Sequence, residues 1–512
     1  MTTQISDSLD ITDAVDTRRE LEGAAPDDAP EWQHTAVPDQ GGEEPFDEIQ
    51  SAMLTVQQGG ADALRAAIAL IDPDASHNAA DHSAIAVDLQ LAAVAIQRGG
   101  IAIQQAAEGA RNDANYSRAV SNSALFAKTV ADELMAAGAF DRAAARYRDA
   151  LSLQPAYAAA DDNLAVALLM ENRYSEAEQG FRRTLERDRG LPNVWRGRFQ
   201  PATQPPGVIA PAAAFKMTDR IDQLSWLILS GKLHPSFERL VDAHRQVLEE
   251  LTTDPERIPY SPLTPQQLAQ FGGYYDRLVY YRESPRLSAP ALNADLDYRV
   301  LEEEYKEKQA IFFDNLLTPE ALQELRTFFQ ESTVFFRHSE AGFVGSYLAD
   351  GAATELVLQI AEELRHRLPN ILGDLPLNNM WCYRYGPSGE GVRAHNGDGS
   401  VTLNFWLTDD DSNLGDPNGG GLVMYDKCHP PEWDWATINA HKDDPAIRAQ
   451  IAAYLSDAHS FAIPYRCNRA TLFHSTLFHK TDPFVFRDNY LDRRMNITML
   501  FGRRAAESAE LT

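Results

Sequence analysis

The chain of 512 residues exceeds one ordinary domain, so several folding units are expected. It is 44% hydrophobic, but no apolar run approaches a membrane span and no basic stretch leads into an apolar core as a secretory signal would. A formal charge of −29 argues against nucleic acid or an anionic membrane as a general partner. Three scattered cysteines, Cys382, Cys428 and Cys467, argue against a disulfide framework and for a reducing, cytoplasmic setting.

Residues 1–50 are acidic and nearly free of basic groups, which predicts a disordered, solvating tail. Residues 51–200 form the next expected unit. It begins with Ala-rich helical spacing over 51–100, as in Ala61 to Ile68. A repeat then appears. Phe140, Ala143, Tyr147 and Leu151 return as Tyr174, Ala177, Phe181 and Leu185, an offset of about 34 residues that is the tetratricopeptide period. The small Ala lets paired helices approach, while the aromatic and Leu positions fill the space between them. Asn163 to Leu169 supplies the first helix of the second repeat. Such helices either pack on the rest of the chain or present a docking surface for a protein, a carrier-bound substrate or a second copy in a homodimer.

Residues 201–297 read as a helical connector. Pro201, Pro205, Pro206 and Pro211 mark an irregular crossing, and helices resume at Thr218, expected as a cap, and again over 237–251. From about Tyr298 the character changes, and 298–505 is the expected catalytic domain, followed by a short tail over 506–512. A strand over 310–317 leads into a helix with Thr318 as cap, Pro319 at its first position and Glu320 in its first turn. A second helix is expected from about Thr354 to Arg367. Beyond Leu377, short β segments punctuated by Gly, Pro, Asn and Asp predict a double-sheet jelly roll. The fold class is therefore α+β and multidomain, with helical repeats followed by a double-stranded β-helix.

The chemistry concentrates between Arg393 and Arg494. His395 sits in a polar turn, Asn396-Gly397-Asp398-Gly399, before the strand Val401 to Leu407. A second His-bearing strand follows at Leu472 to His479, and then Arg493-Arg494-Met495-Asn496-Ile497-Thr498. Two histidines and one carboxylate, with a downstream arginine for a dicarboxylate, is the layout of a mononuclear iron site. His474 and His479 compete as second ligand; read as one continuous strand they face opposite ways, and His479 is favoured. Arg493 and Arg494 also alternate, so only one faces the interior. Arg494 shares its face with Asn496 and Thr498, which suits a carboxylate held by a charged fork and a neutral donor. Arg493 reads as a surface arginine in a salt bridge. Gly419-Gly420-Gly421 reads as fold geometry at a strand entrance. Phe405, Trp406, Tyr383 and Tyr385 are candidate pocket residues, although aromatic strand residues are more often core.

Over 218–504 the chain resembles bacterial tetratricopeptide-linked iron(II)/2-oxoglutarate oxygenases of the phytanoyl-hydroxylase-like group. The matching residues are Trp381 to Tyr385, Asn404 to Thr408, Gly420 to Val423, Phe473-His474 with Leu477 and His479, and Arg493 to Thr498. The resemblance implies iron at His395 and His479, and 2-oxoglutarate at Arg494 with Asn496, Asn404 and Tyr385 beside it. It also implies decarboxylation of 2-oxoglutarate with O2, coupled to removal of hydrogen from an unactivated carbon. The chain departs from the family at the third ligand, because Gly397 stands where the usual His-x-Asp pattern has its acid. Related iron halogenases carry a small residue there, and chloride then restores the lost ligand and charge. Two enzymatic readings remain, a halogenase with Gly397 and a hydroxylase in which Asp398 reaches the metal, beside a third in which the barrel is inert and the chain is a scaffold.

Overall fold

A computed structural model describes residues 114–503 apart from 191–196, 203–208, 254–259, 340–341 and several positions between 431 and 443. The tail expected over 1–50, the helices expected over 51–100 and the tail over 506–512 lie outside the described residues. The chain divides into two compact units between Glu171 and Asn172.

The described part of the first unit contains α1 (Ala114–Ala136), α2 (Phe140–Leu153) and α3 (Ala158–Met170). Ala143 and Ala144 are fully buried, so α2 can come close to its neighbours. One carboxylate joins all three helices. Asp132 on α1 accepts from the Tyr147 hydroxyl of α2 at 2.7 Å and from the Asn163 amide of α3 at 3.0 Å.

The second unit opens with α4 (Tyr174–Arg189), which repeats the pattern of α2 and buries Tyr174, Ala177, Phe181 and Leu185. Leu151, the counterpart of Leu185, is only half-buried. Next come α5 (Ala214–Leu229) and α6 (Glu238–Thr253). Thr218 does not cap α5. It lies inside the helix and donates to the Ala214 carbonyl at 3.1 Å, the back-bond that lets a threonine sit mid-helix.

Then follow α7 (Tyr298–Lys308), β1 (Ala310–Phe313), α8 (Pro319–Glu331), β2 (Arg337–Ser339), β3 (Phe343–Tyr347) and α9 (Glu355–Arg367). The Thr318 side chain caps α8 by accepting from Ala321, and Thr354 caps α9 by accepting from Val357. The barrel is completed by β4 (Leu377–Tyr385), β5 (Val401–Trp406), β6 (Leu422–Cys428), α10 (Pro445–Tyr454), β7 (Ser460–Ile463), β8 (Ala470–His474), β9 (Leu477–Thr481) and β10 (Met495–Phe501).

Seven strands form an antiparallel sheet in the order β1-β8-β5-β10-β4-β3-β2, and three form a smaller sheet in the order β7-β6-β9. A bridge between His395 and His479 extends the smaller sheet by one edge. Two facing antiparallel sheets with this crossing connectivity make the double-stranded β-helix. Strand alternation then sorts the side chains. On β10, Met495, Ile497, Met499 and Phe501 pack toward the helices, whereas Asn496, Thr498 and Leu500 face the barrel interior.

The last repeat helix is bound into this unit. Arg189 at the end of α4 donates to Asp350 at 3.1 Å, and Arg337 donates to the same buried carboxylate at 2.9 Å. Burial alone would raise the Asp350 pKa, but Arg337 and Arg189 hold it below the ordinary carboxylate value of 3.8. A depressed acid stabilises the fold above its unfolded pKa and loses that contribution as pH falls through its folded value. Asp350→Asn leaves two guanidinium groups poorly paired, so we expect a loss of about 3 kcal/mol in urea unfolding at pH 7. The deficit should shrink below about pH 3.8; an equal deficit at every pH would show that the pair is not responsible.

Candidate active site

His395 and His479 meet across the bridge that ends the smaller sheet. Each backbone N–H donates to the other residue's carbonyl, at 3.0 and 2.9 Å, and the two rings lie 4.3 Å apart between centroids. The tautomers follow from the neighbouring carbonyls. His395 Nδ1–H donates to the Arg393 carbonyl at 2.7 Å, and His479 Nδ1–H donates to the Leu477 carbonyl at 3.1 Å. A carbonyl can only accept, so both rings carry a hydrogen on Nδ1, which makes Nε2 the nitrogen able to ligate. This is the arrangement that fixes an imidazole as a metal ligand. Burial lowers the His479 pKa to about 4, which keeps that ring neutral and able to ligate at pH 7.

His474 is separated from this pair. Leu472 to His479 is not one strand, because Ser475 and Thr476 carry the chain from β8 in the larger sheet to β9 in the smaller. The two histidines therefore belong to different sheets, a corner that strand periodicity alone does not show. His474 bonds Thr476 Oγ1 through Nδ1 at 2.6 Å and lies on the face of β8 opposite Phe473, whose ring packs 4.7 Å from that of His479.

The turn after His395 supplies the position left open by sequence. The Gly397 N–H donates to the Ser475 carbonyl at 2.8 Å. A Cβ at Gly397 would meet Ser475 Cβ and Thr402 Oγ1, each at 3.3 Å, and Leu500 Cδ2 at 3.6 Å. Thr402 and Leu500 are inward-facing, so a side chain at 397 would enter the barrel with only slight adjustment. Among the described residues, no group of three or more His, Cys, Asp and Glu side chains is placed to hold a metal. The structure thus joins His395 to His479 in one bridge.

Arg494 occupies the same interior and is 1% exposed. Its Nε donates to the Gly420 carbonyl at 3.1 Å, Nη2 to the Gly421 carbonyl at 3.3 Å, and Nη1 to Asn496 Oδ1 at 3.3 Å. Tyr385 and Phe484 flank the guanidinium at 4.7 and 5.3 Å from their ring centroids. Among the described residues it has no ion pair. Burial lowers its pKa, with the Tyr385 hydroxyl acting against that shift. The glycine run read as strand geometry is thus also part of the site: Gly420 adopts φ +75°, and any Cβ at Gly421 would clash with the Ile463 carbonyl.

A polar ladder continues from Arg494. Asn496 donates to Asn404 Oδ1 at 2.7 Å, and Thr498 donates to the same oxygen at 3.1 Å. Three buried polar atoms nearby on the interior faces of β5 and β8 have no hydrogen-bond partner: Asn404 Nδ2, Trp406 Nε1 and Thr471 Oγ1. A buried cation outside any described ion pair, together with donors lacking described acceptors, fits an oxygen-rich anion. Thr471 could have been found in sequence only with the register of β8 in hand, which pairs it with Asn404.

Two sequence readings are corrected by strand alternation and packing. Phe405 is on the opposite face of β5 from Asn404 and Trp406, packed toward the helices beside Ile497. Arg493 is no surface residue. It is 3% exposed and pairs with Asp219 at 2.8 Å and with Asp222.

A tetratricopeptide-repeat family profile matches residues 134–198. No curated protein matches the chain. Among solved structures, the non-haem alpha-ketoglutarate-dependent carbocyclase SnoK from nogalamycin biosynthesis aligns with 42% of this chain and 88% of its own, at 12% identity and a TM-score of 0.31. A prolyl-4-hydroxylase from Pseudomonas putida aligns with 41% of this chain and 100% of its own, at 15% identity and a TM-score of 0.27. HygX from Streptomyces hygroscopicus, with nickel and 2-oxoglutarate bound, aligns with 40% and 87%, at 12% identity and a TM-score of 0.28. Likeness this remote decides nothing about chemistry, which rests on the residues above.

A site residue kept for a ligand contributes less to folding than its burial suggests. Arg494→Met should therefore cost no more than about 1–2 kcal/mol of stability. Arg384→Met, which strips a buried acid of one of its two arginines, should cost about 3–5 kcal/mol in the same urea titration. A reversed order would mean that Arg494 is structural.

Proposed function

We propose that the second unit is a mononuclear non-haem iron(II), 2-oxoglutarate-dependent oxidoreductase acting on an unactivated C–H bond. The observation that carries this reading is a conjunction inside one barrel. Two tautomer-fixed imidazoles face each other, and a buried arginine outside any described ion pair lies within the same interior. His395 and His479 would hold the iron through Nε2. Arg494 would take the distal carboxylate of 2-oxoglutarate, with Asn496, Asn404 and Tyr385 beside it. Iron with 2-oxoglutarate and O2 supplies oxidation strong enough to break an aliphatic C–H bond, leaving succinate and carbon dioxide.

The chain's own part is placement and exclusion of water. The Nδ1–H bonds to Arg393 and Leu477 orient the ligating nitrogens, which need no rearrangement on binding metal. The guanidinium offers a fork matched to a carboxylate, and the aromatic walls around it make the charged contact strong by keeping the site dry.

The finer reading is halogenation. Gly397 occupies the slot after His395 that normally bears the ligating acid, and its missing side chain would point inward toward Thr402 and Ser475. Those two buried hydroxyls bond each other at 2.7 Å. Removing a carboxylate frees one coordination position and one negative charge, both of which chloride restores. The helical repeats suit a substrate presented on a protein or carrier. No helix among the described residues is long and apolar enough to cross a membrane.

Three measurements test these proposals. Succinate formation from 2-oxoglutarate should require iron(II) and vanish in His395→Ala and His479→Ala; its absence from the iron-loaded wild type would leave the barrel a scaffold. Product mass spectra should show a shift that follows chloride or bromide and disappears in Gly397→Asp. A purely hydroxylated product in high chloride, with iron lost in Asp398→Ala, would establish the hydroxylase instead.

A further inference from the structure

On the helix side of the larger sheet, directly behind the proposed co-substrate site, lies a carboxylate that no part of the reaction uses. Asp219 on α5 is 3% exposed. It accepts from Arg384 Nε at 2.8 Å and Nη2 at 2.6 Å, and from Arg493 Nη1 at 2.8 Å. Arg384 is itself 1% exposed and uses its remaining nitrogen on the Phe329 carbonyl at 3.0 Å and the Tyr490 hydroxyl at 2.9 Å.

We infer that Asp219 is a positioning residue for Arg494 and Tyr385, setting the affinity for the co-substrate carboxylate from the opposite face of the sheet. Arg384 immediately precedes Tyr385, and Arg493 immediately precedes Arg494. Neighbours on a strand point to opposite faces, so one acid gripping the outer pair fixes the two backbones that aim the inner pair. Those backbones are joined at this point, because the Tyr385 N–H donates to the Arg494 carbonyl at 3.0 Å. Thr408 Oγ1 locks the other side, donating to the Arg493 carbonyl at 2.7 Å and accepting from the Met495 N–H at 3.0 Å. Among the described residues the Arg494 guanidinium is in no ion pair and bonds the Gly420 and Gly421 carbonyls and Asn496 Oδ1, so its aim depends on where its backbone is pinned. This inference rests on the reading of Arg494 as the 2-oxoglutarate contact.

Helix α5 has anchors other than Asp219. Lys216 pairs with buried Asp276 at 2.5 Å, and Gln223 donates to the Ser332 carbonyl at 2.9 Å. The effect of changing Asp219 should therefore stay local to the two arginines.

The test compares two affinities in Asp219→Asn, with Arg493→Lys as a milder second variant and Asp219→Glu as a charge-preserving control. Cobalt(II) affinity, read by equilibrium dialysis, reports the histidine pair. Calorimetric titration of 2-oxoglutarate into the cobalt-loaded full chain reports Arg494. Asp219→Asn should weaken 2-oxoglutarate about tenfold with cobalt affinity unchanged, as a small loss of aim at a bidentate clamp does. Arg493→Lys should weaken it less, and Asp219→Glu should recover part of the loss. Parallel loss of cobalt and 2-oxoglutarate, or an unchanged 2-oxoglutarate affinity, would overturn the inference while leaving the proposed reaction standing. Should Asp219→Asn fail to fold, Arg493→Lys decides by the same comparison. A wild type that binds cobalt but no 2-oxoglutarate would overturn the proposed reaction together with the inference.

Discussion

Arg494 carries its charge inside the barrel, with carbonyls, one amide and aromatic rings as its hydrogen-bond and ring partners. Burying a guanidinium outside an ion pair is costly, and a fold selected for stability alone would remove it. Much of the second unit makes sense as the means of keeping it there. The glycine turn brings two carbonyls to it, one at a position where no Cβ fits. The ladder through Asn496 and Asn404 extends its polarity across β10 and β5, and the outer-face cluster around Asp219 holds the strand ends from which it projects.

The same economy is visible at the histidines. Their mutual backbone bonds end the smaller sheet, and their Nδ1 hydrogens go to carbonyls two residues back. Geometry and tautomer are thus set by local backbone, before any ligand is present. Phe473 packs on His479, and Tyr385 and Trp406 lie beside Arg494, all three in one buried aromatic cluster. Beside these rings the polar ladder from Arg494 leaves donors of Asn404 and Trp406 without a described partner. In a native fold such atoms await a partner.

Much of this was legible in the chain. The repeat of Ala143 and Tyr147 as Ala177 and Phe181 is a packing rule written at a fixed period, so helices at those places follow from sequence. Thr318-Pro319-Glu320 is equally local, because a cap is decided by its neighbours within one turn. The separation of Arg493 from Arg494 is local too, since any strand must send them to opposite faces. Where reading failed, the missing information was long-range. Thr218 looks like a cap, but the helix starts earlier, at Ala214, directly after Ala212 and Ala213 pair with a short strand at Tyr260–Ser261.

Sequence alone established the order of helices and strands, the face on which Arg494 and Asn496 lie, and the few residues able to ligate or hold an anion. Those properties depend on periodicity and on chemistry carried by single residues. It could not establish that Ser475 and Thr476 turn a corner between sheets, and so could not say why His474 is excluded while His479 meets His395. Nor could it show that Arg493 is buried against an acid from a connector helix far away in the chain. Both depend on which segments fold against one another, and pairing between distant strands is set by total burial and hydrogen bonding rather than by any short stretch. Gly397 belongs to both levels: its lack of a side chain is written in the sequence, but the direction in which that side chain would point, toward Thr402 and Ser475, exists only once the sheets have closed.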